Sequence, residues 1–131
     1  YEKTIKDTNF CATVTTFNKQ NASSTSTATQ ADMAKLFENG ISLLTYFGHS
    51  AATGLAYNLN NPDDYNNPGK YPVFLVNGCS AGNFFDYDNV RFTNISSIAE
   101  RFVFAKNKGS IGTIATSHFG LTSYQQVFIN L

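Results

Sequence analysis

Hydrophobic positions along this chain follow two patterns. In the first, Met33, Leu36 and Phe37 recur at helical spacing. Thr29 stands ahead of them as N-cap with Asp32 in the first turn, and Gly40 follows as a stop, which predicts a helix between. In the second pattern, "ISLLTYF" (41–47) and "PVFLV" (72–76) are apolar almost without interruption. Strands of a parallel sheet covered on both faces look like this. "SIGTIATS" (110–117) predicts a third strand. Before it, Ser97 and Glu100 form a capping box for a helix running to about Lys108, with an inner stripe of Ile98, Ala99, Phe102 and Val103, Ile95 just ahead and Gly109 as its end.

Weaker patterns fill the remainder. "ATVTTF" (12–17) is β-prone, "NASSTSTAT" (21–29) reads as a flexible polar loop, and "LTSYQQVFINL" (121–131) reads as a closing helix. The polar crossover 56–71 contains Asn61 followed by Pro62, Asp63 and Asp64, enough to cap one helical turn with acids near its dipole. The order helix, strand, crossover, strand, helix, strand, helix predicts an α/β domain with a parallel sheet and helices on its faces. There is no internal repeat, and 131 residues suit one domain.

Charge narrows the function classes. Nine basic and nine acidic residues cancel, so no field invites nucleic acid or an anionic membrane. Charged residues are only 14 % of the chain, and polarity is carried by 15 Asn and 14 Thr, a style that suits a secreted or surface protein. No apolar run approaches the roughly 18–20 residues that span a bilayer. The chain begins with Tyr1 and has no signal-peptide pattern, as expected of a piece of a longer polypeptide.

Chemistry concentrates at two strand ends. His49 follows the first apolar strand by one glycine, Gly48, and Cys79 follows the second after Asn77 and Gly78. Ligands of parallel α/β sheets collect outside the carboxyl ends of strands. If the two strands are parallel neighbours, both side chains emerge at one rim, and thirty residues between them suit one right-handed crossover. A thiol becomes a good nucleophile when deprotonated, and a nearby imidazole favours the thiolate and later protonates a leaving group. Gly48, Gly78 and Gly82 leave room for a substrate backbone and for inward main-chain N–H groups.

At these residues the chain resembles a known family. "TYFGHSAATG" resembles the histidine motif, and "YPVFLVNGCSAGNF" the cysteine motif, of the gingipain-type cysteine peptidases, peptidase family C25. "ERFVFAKNKGSIGTIATSHFG" resembles the helix–strand block after the cysteine, and the likeness is closest to Bacteroidetes members associated with type IX secretion, the secretion sortase among them. The resemblance covers about residues 29–128 and implies a three-layer caspase-like (gingipain-like) fold, a mostly parallel sheet with helices on both faces. By it, residues 1–131 are a single partial catalytic domain, a fragment of the full peptidase domain, bacterial and secreted or on the cell surface. It further implies a polypeptide substrate, the remainder of the parent chain as partner, Cys79 as nucleophile and His49 as general acid/base. The main-chain N–H groups of Cys79 and of the residue after the histidine would form the oxyanion hole, so Gly48, Ser50, Gly78 and Ser80 line it. The family usually has glycine where this chain has Ser50; if the backbone there must be left-handed, which serine resists, the hole is strained or displaced.

Other residues carry subordinate expectations. His118 and Phe119, at the end of the third strand, are candidates for a substrate cleft. Asp86 and Asp88 are a candidate calcium pair, although their spacing departs from the D-x-D-x-D-G loop; otherwise no cofactor is expected. Cys11, Cys79, His49 and His118 lack the close ligand pairs of zinc sites, so no metal site is expected, and Cys11 reads as packing. Asn21 and Asn94 fit the glycosylation acceptor pattern. Two alternative functions stay open: a catalytically degenerate peptidase-like domain kept for binding or secretion, and an α/β-hydrolase-like esterase using Cys79, Asp86 or Asp88, and His118. Against the esterase, "NGCSAG" departs from the G-x-[SC]-x-G elbow.

Overall fold

A computed structural model describes residues 6–7, 10–17, 27–57, 59–85 and 97–120. Two units divide the chain, one of Tyr1–Ser24 with Leu121–Leu131 and one of Thr25–Gly120. In the first, Cys11 donates its backbone N–H to the Asp7 carbonyl (2.8 Å) and has φ +48°. Residues 12–17 form no strand and are mostly exposed, contrary to the β-prone reading; β propensity needs a partner strand and a face to bury, which a threonine-rich run does not supply. The expected helix over 121–131, most of the 21–29 loop, Ile95 and Asn94 lie outside the described residues.

The second unit holds the sheet. Strand β1 (Leu43–Phe47) pairs in parallel with β4 (Val73–Asn77), which pairs in parallel with β5 (Gly112–Ala115). The short strands β2 (Ser50–Ala51) and β3 (Gly54–Leu55) form an antiparallel hairpin directly after β1. The three expected strands are therefore present: β1 starts two residues later than its apolar run, β4 is shifted by one residue to include Asn77, and β5 is trimmed at both ends. The hairpin was not legible, because two-residue strands carry no period.

One face of the sheet is the core. Leu44, Tyr46, Phe74 and Val76 alternate inward and are buried. Helix α1 (Thr27–Asn39) covers them with Met33 and Phe37, and helix α2 (Ile98–Phe104) with Ile98 and Phe102. Phe37 stacks on Tyr65 at 4.2 Å, and Phe74 meets Phe102 at 4.8 Å, so four rings from four segments close the layer. The opposite face carries Leu43, Phe47, Val73 and Ile114, all exposed. Both described helices thus lie on one face.

Local signals held where the chain punctuates itself. Gly40 adopts φ +94° and closes α1, its N–H bonding the Leu36 carbonyl. Ser97 and Glu100 form the expected capping box. Pro62–Asp64 form one 3₁₀ turn, with the Asn61 side chain accepting from the Asp63 N–H. Two ends moved. Helix α1 starts at Thr27, two residues before the expected cap. Helix α2 stops at Phe104 rather than near Lys108, because Asn67 captures the chain beyond it. Fully buried, Asn67 donates to the Lys70 and Gly109 carbonyls (2.8 and 2.9 Å) and accepts from the Gly109 N–H (2.9 Å). Gly109 takes φ +88°, and Ser110 donates back to the Phe102 carbonyl.

Tyr65 yields a pH prediction. Burial, and secondarily the charge of Asp64, push its phenol up to about 12. The folded state favours the neutral phenol, so this contribution to stability is complete below pH about 10 and is lost as pH rises toward 12. Alkaline absorbance titration should show one of the seven tyrosines ionising last, coincident with a falling urea midpoint.

Candidate active site

Register decides what meets at the sheet's carboxyl rim. Tyr46 is level with Val76 and Val76 with Ala115. His49, Cys79 and His118 each lie three residues beyond that row, past the ends of neighbouring strands that run about 4.8 Å apart. Cys79 is central and half-buried, and His49 and His118 flank it, both exposed. The two ribbons expected to run parallel and adjacent do so. Neither Cys79 nor Cys11 is disulfide-bonded.

The His49 segment is anchored by its carbonyl, which accepts from the Tyr46 hydroxyl (2.5 Å) and from the Ala56 N–H (2.9 Å). Burial raises the Tyr46 phenol, partly offset by the Ala56 N–H bonded to it, so the hydroxyl stays a donor. A side chain at Gly48 would collide with that phenol, its Cβ meeting the oxygen at 2.8 Å. The hairpin beyond is sewn to α2: Ile98 N–H donates to the Ala52 carbonyl (2.8 Å) and Arg101 to that of Thr53.

Around Cys79 the backbone is held on all sides. The Gly78 carbonyl accepts from the Thr116 hydroxyl, and the Cys79 carbonyl from the Ser50 hydroxyl (2.6 Å). Ser80 N–H donates to the His118 carbonyl (2.8 Å), and Gly82 N–H to that of Thr116 (2.9 Å). The Gly120 N–H points at the Cys79 sulfur (3.4 Å), a donor suited to a thiolate. Ser80 sits at φ +57°, a left-handed conformation that costs a non-glycine residue roughly 1–2 kcal/mol. Strain was expected at Ser50 and is found at Ser80 instead. Ser50 lies in β2, and the non-glycine residues with positive φ among the described ones are Cys11, Ser80 and Asn107.

The glycines are also sites of close approach within the domain. A Cβ on Gly78 would lie 2.8 Å from Ser50 Cβ and would strike its hydroxyl. At Gly82 a Cβ would press on Ala115, 2.9 Å from its carbonyl oxygen. His118 turns to its own backbone: Nδ1 accepts from the Phe119 N–H (2.7 Å) and the ring lies against Phe119. With Phe119, Phe84 and Phe85 exposed, the rim is aromatic. Sequence reasoning missed Tyr46, Thr116 and Gly120; counting residues past the paired rows would have put Thr116 beside Asn77, while Gly120 carried no signal. Among the described residues no three His, Cys, Asp or Glu gather as metal ligands, and Asp86 and Asp88 lie outside those residues.

The model of peptidase family C25 matches residues 2–130. The chain belongs to peptidase family C25. That membership sets aside the α/β-hydrolase reading and makes this a peptidase domain by family. The crystal structure of the Arg-specific cysteine proteinase gingipain R matches this C25 chain with a TM-score of 0.55 at 22 % identity, covering 69 % of this chain and 21 % of that one. The likeness shows a gingipain-like fold, a mostly parallel sheet with helices. No curated protein matches the chain. Among the described residues no helix is long and apolar enough to cross a membrane.

Proposed function

We propose that this C25 domain cleaves peptide bonds with Cys79 as nucleophile and His49 as general acid/base. The observation that carries the reading is register: His49 and Cys79 leave neighbouring parallel strands at the same level. The Cys79 thiolate attacks the scissile carbonyl carbon, forming a C–S bond and an oxyanion. Main-chain N–H groups of Cys79 and Ser50 stabilise that oxyanion, on a rim shaped by Gly48, Gly78 and Ser80. As the C–N bond breaks, protonated His49 gives its proton to the leaving amine. Neutral His49 then takes a proton from water, whose oxygen attacks the thioester; the acid product departs and the thiol is restored. Transfer to an amine in place of water would make the same site a transpeptidase.

His118 and Phe119 would line the substrate cleft. The chemistry needs no metal or cofactor. The setting that fits is bacterial, secreted or on the cell surface, as for type IX secretion-associated members, with the remainder of the parent chain as partner. The test is to incubate the protein with a peptide library and map products by mass spectrometry while iodoacetamide titrates its thiols. Cleavage should vanish in step with carboxamidomethylation of Cys79. Cleavage that survives complete modification of Cys79 overturns the assignment.

A further inference from the structure

We propose that Ser50 is a positioning residue for the nucleophile: its hydroxyl latches the Cys79–Ser80 peptide to the histidine-bearing hairpin. The inference rests on the peptidase reading of Cys79 and His49. Three observations carry it. First, Ser50 donates to the Cys79 carbonyl at 2.6 Å, across twenty-nine residues, from the position next to His49. The other end of the same peptide, Ser80 N–H, donates to the His118 carbonyl at 2.8 Å. One peptide plane is therefore fixed from both flanking strand exits.

Second, the turn it fixes is strained. Ser80 holds φ +57°, and a non-glycine residue leaves that conformation unless its surroundings hold it there. With the Ser50 bond gone, the Cys79 carbonyl loses a half-buried partner and the turn is free to relax, carrying the sulfur away from the Gly120 N–H that faces it at 3.4 Å. Third, the fit is reciprocal. A Cβ on Gly78 would strike the Ser50 side chain and approach the Gly48 carbonyl oxygen at 3.0 Å, so the glycine before the cysteine provides the slot that the serine fills. His49 is itself anchored by two donors at its carbonyl, so the adjoining Ser50 transmits a fixed reference to the thiol. The hydroxyl thereby couples the placement of imidazole and sulfur without touching the substrate.

The test compares Ser50→Ala and Ser50→Thr with the unaltered protein. Two readouts are used: steady-state peptide cleavage, and the second-order rate of iodoacetamide reaction at Cys79 followed by peptide mass. Ser50→Ala should lower kcat roughly tenfold with KM nearly unchanged, and slow alkylation of Cys79 by a similar factor. Ser50→Thr, which keeps the hydroxyl and suits a strand, should recover most of both. A residue that served stability alone would lower the melting temperature and leave kcat per folded molecule intact. Unchanged kcat and unchanged alkylation in a folded Ser50→Ala overturn the proposal. So does a folded Ser50→Thr protein whose kcat and alkylation rate both lie about tenfold or more below those of the unaltered protein, an outcome readable even if the alanine variant fails to fold. Cleavage that persists in Cys79→Ala would sink the peptidase reading instead, and the alkylation rates would still judge the latch.

Discussion

Cys79→Ser should reduce kcat/KM for peptide cleavage by at least about a thousandfold while leaving the fold intact. Serine is nearly isosteric with cysteine, and the site is half-buried, so the backbone cage around position 79 has no reason to move. What is lost is the nucleophile. A hydroxyl ionises far above neutral pH, and the donor facing it from Gly120 cannot bring it down to the range a thiol reaches. His49→Ala should cost about 10²–10⁴-fold, the usual worth of a positioned acid/base. His118→Ala should cost much less, since His118 already spends its Nδ1 on the Phe119 N–H. Rates from peptide hydrolysis, set beside thermal melts of the same proteins, check all three. A His118→Ala variant more impaired than His49→Ala would reverse the assignment of the base.

Phe102→Ala should destabilise the domain by about 3–5 kcal/mol, a large share of the roughly 5–15 kcal/mol that holds such domains folded. Phe102 is 1 % exposed and packs on Phe74 at 4.8 Å and on Tyr65 at 6.2 Å. Aromatic neighbours drawn from strand β4 and from the crossover cannot both close on the gap. Urea unfolding followed by tyrosine fluorescence measures the loss. The consequence reaches the site as well, because α2 carries the Ile98 N–H that fastens the Ala52 carbonyl of the hairpin. Activity should therefore fall at temperatures where the parent is still active. A cost below about 1 kcal/mol would mean that the core repacks freely around α2.

Much of the site was legible because it is written in local and periodic terms. Uniform apolar runs announced β1 and β4, and Gly48–His49 and Gly78–Cys79 marked their ends. The glycines mark close approach: an added Cβ would meet Tyr46 at Gly48, Ser50 at Gly78 and Ala115 at Gly82, and the sequence names none of these neighbours. The reason is plain. Glycine announces close approach and not the identity of what approaches. At Ser50 the condition for strain, a left-handed backbone, is not met, because the residue lies in the hairpin strand β2.

Alternation, caps and strand-end chemistry are properties of neighbouring residues, and from them the sequence alone determined the α/β class, the first helix, the capping box and the parallel strands that run ahead of His49 and Cys79. Tertiary structure decided which atoms hold the cysteine, where α2 stops and which face of the sheet the two described helices cover. Those outcomes hinge on partners far away along the chain: Asn67 reaching Gly109, Thr116 reaching Gly78, Ser50 reaching the Cys79 carbonyl. A hydrogen bond between distant residues leaves no period in the sequence, because either partner alone is an ordinary polar side chain until the sheet's register brings the two together.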